Sequence, residues 1–272
     1  MKKEKNTPEV SEKTDAVTPE KKKKRHSSFR SVEGKENNHV PFAVVEAYKN
    51  IRIHIVSALE EVNGKVVAFS SPNASEGKST TAVNSAIILS QLNKKVLLVD
   101  TDIRRASIHQ KLKIPNEIGC TDVIMKTVTF EEAVQHYNKY LDVLTSGNTE
   151  NSLSDIFSTK EFDEAMEEWR EKYDYVVIDT PPVNLISDTL ALAQKSDGLV
   201  MIARASSTSN ASFQNALDTL NQLNIHIIGT IINATGGSRK HYHSYYGYGK
   251  GYGYGKGYGY YKDYGYGKNK YY

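Results

Sequence analysis

Apolar residues in this chain follow two different periods. Phe42, Val45, Ala47, Tyr48, Ile51, Ile55 and Leu59 recur at three- and four-residue steps, which predicts an amphipathic helix from Phe42 to about Glu61. Beyond it come short continuous apolar runs separated by helix-length stretches. The runs Lys65–Ser70, Lys95–Val99, Leu141–Thr145, Tyr173–Ile178, Gly198–Ala203 and His226–Ile232 predict strands buried on both faces. The stretches between them predict helices over 78–92, 104–112, 130–137, 160–171, 186–195 and 208–223. Strands separated by helices imply right-handed crossovers. The expected fold class is α/β, a doubly wound, mostly parallel sheet over 42–234.

Both ends break this pattern. Residues 1–41 are polar and carry the basic block Lys21-Lys22-Lys23-Lys24-Arg25, which predicts a disordered arm. The block fits a solvated charge run or contact with anionic lipid headgroups. Residues 235–272 are dominated by Tyr, Gly and Lys and hold 13 of the 18 tyrosines. Alternating Gly-Tyr has no helical period and its glycines are costly to order, so this is read as a flexible tail. Taken alone, such a tail also suits self-association or stacking on nucleic-acid bases.

The length of 272 residues allows one mid-sized domain plus these tails. The net charge of +3 argues against a dedicated nucleic-acid binder. The single cysteine, Cys120, cannot form an internal disulfide and is expected to be a small buried residue. A polar start and the absence of a long apolar run predict a cytoplasmic chain without a secretory signal or membrane span.

Three segments carry candidate chemistry. Ser70-Ser71-Pro72-Asn73-Ala74-Ser75-Glu76-Gly77-Lys78-Ser79-Thr80 follows an apolar strand and opens a helix, the context of a P-loop. Gly77 permits the tight turn, and backbone amides of Ala74, Ser75, Glu76, Gly77, Lys78, Ser79 and Thr80 would cradle phosphates. Lys78 would reach the β- and γ-phosphates of ATP, and the Ser79 hydroxyl would ligate Mg²⁺. The first Gly of the usual pattern is Pro72 here. Val96–Val99 leads into Asp100-Thr101-Asp102-Ile103-Arg104, two acids at a strand's C-terminal end, where α/β sheets bind ligands. A helix N-cap beside a solvated acid would look the same, but the neighbouring P-loop favours the ligand-binding reading. Tyr175–Ile178 leads into Asp179-Thr180-Pro181-Pro182, fitting an acid that holds Mg²⁺ directly or through water. Three acids and a lysine on one sheet edge describe phosphoryl transfer.

Together, Glu76-Gly77-Lys78-Ser79-Thr80, Asp-x-Asp-x-Arg at 100–104, Ile178-Asp179-Thr180-Pro181-Pro182 and the terminal tyrosine cluster resemble the bacterial tyrosine kinases of capsule and exopolysaccharide assembly. The likeness covers about 42–272, and is greatest to the stand-alone cytoplasmic autokinases of Gram-positive bacteria. It implies Lys78, Asp100, Asp102 and Asp179 as catalytic residues. Asp100 would act as base toward a tyrosine hydroxyl, and Ser79, Asp102 and Asp179 would hold Mg²⁺. Arg104 matches the arginine that ends the second motif. The implied phosphoacceptors are Tyr242, Tyr245, Tyr246, Tyr248, Tyr252, Tyr254 and Tyr258, together with Tyr260, Tyr261, Tyr264, Tyr266, Tyr271 and Tyr272. The resemblance also implies a ring-shaped homo-oligomer built on a Glu-x-x-Arg-x-x-Arg helix, here Glu46, Lys49 and Arg52. Lys49 replaces an arginine and forfeits a bidentate contact. A transmembrane adaptor that recruits and activates the kinase and an opposing phosphotyrosine phosphatase complete the expected partners, and no nucleic acid is expected.

The tail's root-mean-square reach is ~35 Å, enough to enter a neighbouring subunit's site. Each phosphate would add about −1.5 to −2 charge, and accumulated repulsion is expected to break the oligomer. Tyr48, Tyr137, Tyr140, Tyr173 and Tyr175 are expected to pack within the domain. Asn233 closes the last strand, a position beside the expected adenine. The alternative is a partitioning or septum-positioning type P-loop ATPase whose tail docks a partner. Those relatives carry a lysine five residues before the main one, where this chain has Asn73.

Overall fold

The computed structural model describes residues 31–32, 40–147, 155–205 and 207–234. The expected basic arm and the tyrosine tail lie almost wholly outside the described residues.

Helix α1 (Phe42–Glu61) leads into β1 (Val66–Ser70), followed by α2 (Lys78–Ser90), β2 (Val96–Asp100), and short helices α3 (Ile108–Leu112), α4 (Cys120–Ile124) and α5 (Phe130–Ala133). A hairpin of β3 (Gln135–Asn138) and β4 (Leu141–Leu144) comes next, then a 3-10 turn (Ile156–Ser158), α6 (Lys160–Lys172) and β5 (Tyr175–Asp179). The chain continues through α7 (Asp188–Gln194), β6 (Gly198–Arg204), α8 (Asn210–Gln222) and β7 (Ile227–Asn233). The strands form one sheet in the order β3-β4-β2-β5-β1-β6-β7. Every pairing is parallel except β3 with β4.

Two covered faces explain the continuous apolar runs of β1, β2, β4, β5 and β6. β7, expected to be buried on both faces, is corrected to a half-exposed strand, because it lies at the sheet edge with β6 as its one neighbour. Along β1, Val67 and Phe69 join the core beneath α1 and α2, while Val66 and Ala68 face the opposite layer. That opposite layer holds an aromatic cluster in which Phe162 stacks edge-on to both Phe157 and Trp169. Tyr173 caps α6 and donates its hydroxyl to Asp142 of β4 at 2.7 Å. Tyr48, Tyr137 and Tyr175 pack against the α1/α2 core, as expected. Cys120 is fully buried, and burial pushes its thiol up.

The helix expected over 130–137 is corrected. It ends at Ala133, and residues 135–138 form the antiparallel edge strand β3 instead. Thr129 and Glu132 form a capping box that secures a single turn, after which Val134 is already extended (φ −72, ψ 136). Val134 and Tyr137 favour a pleated surface, and pairing with β4 overrides the local helical pattern. Helix α3 starts later than expected, at Ile108, because Asp100 ties up the preceding turn. Helix α4 carries no apolar period long enough to announce itself.

Candidate nucleotide and phosphoryl-transfer site

Sheet register does the first part of the assembly. Asp100 pairs with Asp179 across β2 and β5, and Phe69 of β1 pairs with Asp179 on its other side. The P-loop leaves β1 one residue later, so loop and acids share one sheet edge.

The loop turns through two left-handed residues, Ser75 (φ 66) and Gly77 (φ 102), before α2 begins at Lys78. A Cβ at position 77 would lie 2.5 Å from Asn233 Nδ2, so glycine is needed for both conformation and space. Ala74, Ser75, Gly77, Lys78, Ser79 and Thr80 line a cavity of about 350 Å³ together with Asp102, Arg105, Ser107, Lys111, Pro182 and Arg204.

Lys78 is buried and holds the acids together. Its ammonium lies 2.6 Å from Asp102 and 3.4 Å from Asp179, and donates to the Ser79 hydroxyl at 3.3 Å. Burial works to lower the Lys78 pKa, but the charges of Asp179, Asp102 and Asp100 outweigh it and hold the lysine above its ordinary range. Burial pushes Asp179 up, and Lys78 and Ser79 counter it. Asp100 is fully buried. Burial and then the Asp179 charge push its carboxyl up to about 7, against the Ile108 amide, the Lys78 charge and the Ser107 amide. Its oxygens accept from the amides of Asp102 (3.2 Å), Ser107 (3.1 Å) and Ile108 (3.1 Å). Asp102 faces the cavity; Asp100 sits behind it and sets the turn into α3.

The residues fit a nucleotide and Mg²⁺. The P-loop supplies an anion nest at the start of a helix. Asp179 Oδ2 is buried with no hydrogen-bond partner, a free acceptor beside Ser79 and Asp102. Among the described residues no cluster of three or more His, Cys, Asp or Glu forms a metal cage. Mg²⁺ needs none, since it keeps waters and takes one or two carboxylates plus phosphate oxygens.

Glu76 is 2% exposed and does not line the cavity. Its carboxylate accepts from the Asn73 amide (2.9 Å), Asn73 Nδ2 (3.1 Å) and the Thr208 hydroxyl (2.5 Å). Ser212 of α8 donates to Asn73 Oδ1 at 2.9 Å. Asn73 therefore braces its own loop. Asn233 donates to the Glu76 carbonyl at 3.1 Å. Arg104 is exposed, and its charge acts on the buried Asp188; the adjacent Arg105 lines the cavity. Motif spacing does not point to Arg105, Lys111, Arg204, Thr208 or Ser212. A surplus of basic residues over 104–113 is the one local sign of the first two. The expected oligomer residues are engaged within the protomer. Glu46 and Lys49 pair at 2.7 Å, and Arg52 donates to the Ile88 carbonyl at 3.2 Å.

Fold and cavity define a P-loop nucleotide-binding protein equipped for phosphoryl transfer. The family described as AAA domain matches residues 64–232. The chain is 36% identical to the tyrosine-protein kinase YwqD of Bacillus subtilis over 75% of this chain and 85% of that one. It is 29% identical to the tyrosine-protein kinase ptk of Acinetobacter johnsonii over 78% of this chain, but spans only 28% of that longer protein. The crystal structure of the VpsO kinase domain superposes with a TM-score of 0.62 at 30% identity, covering 71% of this chain and 98% of that one. The septum site-determining protein MinD of Pyrococcus horikoshii, at 20% identity over 63% of this chain and 71% of that one, shares the fold with a TM-score of 0.53. The chain belongs to the bacterial tyrosine-protein kinase family, on the AAA domain.

Proposed function

We propose that this chain is an ATP-dependent protein tyrosine kinase that phosphorylates the tyrosine cluster of its own tail in trans and regulates capsular or exopolysaccharide synthesis and export. One observation carries the reading. Lys78 bridges Asp102 and Asp179 beside an unpartnered Asp179 oxygen, at a P-loop, in a chain 36% identical to a tyrosine-protein kinase.

The amides of residues 74–80 bind the phosphates of ATP, and Lys78 leaves the carboxylates for the β- and γ-phosphates. Ser79, Asp102 and Asp179 would hold Mg²⁺, which would supply neutralisation of the charge on the phosphate oxygens. Asp100 accepts the proton of the incoming tyrosine hydroxyl. A carboxyl raised to about 7 suits a base at neutral pH. Arg105 and Arg204 line the same cavity and add positive charge toward the transferring group.

The proposed acceptors are the tail tyrosines from Tyr242 to Tyr272. A transmembrane adaptor recruits the chain to the inner face of the membrane and activates it, and a phosphatase resets the tail. Among the described residues no helix is long and apolar enough to cross a membrane. Ring assembly would use Glu46, Lys49 and Arg52, and Arg52 keeps further N–H donors beyond the one it gives to the Ile88 carbonyl.

Intact-mass spectrometry with ATP, Mg²⁺ and a fused adaptor segment tests the proposal. Repeated single-phosphate increments mapping to residues 242–272, absent from Lys78→Met, are expected. ATP hydrolysis with no increments would instead favour a partitioning-type ATPase with a docking tail.

A further inference from the structure

Strand β7 closes one side of the sheet. Its one neighbour is β6, and no described strand pairs with its outer edge. The strand, Ile227-Ile228-Gly229-Thr230-Ile231-Ile232-Asn233, contains no charged residue and no proline, the usual guards of an open edge. Ile232 is 56% exposed. Beside the strand runs an open groove of about 490 Å³, whose apolar lining comes from Ile51, Ile55 and Ala58 of α1 with Val200, Ile228 and Ile231. An uncharged edge beside such a groove calls for a cover.

The chain supplies one. The described residues end at Ala234, directly after β7, and its left-handed backbone (φ 54) turns the chain out of the strand. Ala234-Thr235-Gly236-Gly237-Ser238 is a five-residue connection with two glycines, a hairpin length. The next eight residues, Arg239-Lys240-His241-Tyr242-His243-Ser244-Tyr245-Tyr246, contain no glycine, unlike the Gly-Tyr alternation from Gly247 onward. Tyrosine favours strands, and the segment matches the seven residues of β7 in length. So short a tether gives an effective concentration of about a millimolar, against which a second copy at micromolar concentration competes poorly.

We propose that residues 239–246 return along the outer edge of β7 as an antiparallel strand, laying tyrosine rings over the groove beside α1, and that phosphate on Tyr242, Tyr245 or Tyr246 releases them. In that step a tyrosine oxygen takes the γ-phosphoryl of ATP, giving ADP and one proton. Each phosphate brings about −1.5 to −2 charge, which an apolar groove disfavours. While docked, these three tyrosines are withheld from any active site, so Tyr248 and those beyond it are modified first. The release rests on the kinase reading; the docking does not.

The test is hydrogen exchange on the dephosphorylated full chain without nucleotide, at two protein concentrations, with amides of β1 and β5 as the internal reference. Amides of 228–232 should exchange about tenfold more slowly in the wild type than in Tyr242→Glu/Tyr245→Glu/Tyr246→Glu. Tyr242→Phe/Tyr245→Phe/Tyr246→Phe should stay slow, because the rings remain. Equal exchange in the wild type and the Glu variant overturns the docking. So does protection that grows with protein concentration, which would place a second copy on the edge. With ATP and Mg²⁺ added, time-resolved mapping should find phosphate on Tyr248 and beyond before Tyr242, Tyr245 and Tyr246; simultaneous or reversed order overturns the release. A chain that gains no phosphate overturns the kinase reading and the release with it, while the exchange result decides the docking.

Discussion

Lys78 is the residue on which the site's electrostatics turn. It lowers Asp100 and Asp179, which burial nonetheless keeps above the ordinary carboxyl range. A carboxyl raised by folding contributes stability that is present below its unfolded value and lost as pH rises through its folded value. For Asp100 that loss runs from about pH 4, the ordinary value, up to about 7. Removing the lysine pushes both acids higher and deepens the loss. Lys78→Met should therefore lower stability by up to about 3 kcal/mol at pH 8, and by clearly less at pH 5, as thermal melts at the two pH values would show. The same acid predicts a rate profile. With Asp100 as proton acceptor, kcat/KM should climb with pH and level off above about 7. Asp100→Asn should abolish that limb and lower the rate by about 10²- to 10⁴-fold; a limb that persists would reassign the base. Lys78, Asp100, Asp102 and Asp179 were legible because apolar strands ending in acids beside a Gly-Lys-Ser turn leave few other arrangements. Arg105, Lys111, Thr208 and Ser212 were not, because their place follows from how α3 and α8 dock, which no local pattern encodes. Glu76 was legible as part of the loop, but not its role as a brace.

At the scale of elements, the strands were readable wherever burial on both faces made them continuous apolar runs. The edge was not. β3 has one neighbour and a mixed surface, so its residues carry no run, and Val134 reads as helix until the hairpin partner is known. Short α3, α4 and α5 depend on caps and on their neighbours rather than on period. The P-loop element yields its own test. Gly77→Ala would force a side chain into a left-handed turn and against Asn233, at about 1–3 kcal/mol concentrated in the loop. Nucleotide affinity should collapse while the unfolding of the sheet, followed by circular dichroism, moves little. In α6, Trp169→Ala should behave in the opposite way. It removes a fully buried side chain from the aromatic cluster, at about 3–5 kcal/mol, and should lower the melting temperature strongly while leaving the nucleotide Kd of the folded fraction intact.

For the whole molecule, the question is whether one chain serves another. Mixing an active chain that ends at Ala234 with full-length Lys78→Met separates donor from acceptor. Phosphotyrosine on the full-length partner is expected, and its absence would confine the reaction to a chain's own tail. Heavy phosphorylation should also reduce the assembly's mass in solution; an unchanged mass by light scattering would rule out repulsion as the release mechanism.

The brace around Glu76 bears on how such a loop can be inherited or engineered. Its anchors, Thr208 and Ser212, lie far along the chain, after six of the seven strands. A segment grafted from a relative by copying residues 70–80 alone would arrive without them, leaving the buried Glu76 short of its Thr208 donor and Asn73 short of Ser212. The nucleotide loop is therefore not a portable cassette. Exchange between relatives should succeed only when the start of α8 travels with it, so the two segments are expected to change together as the family diverges.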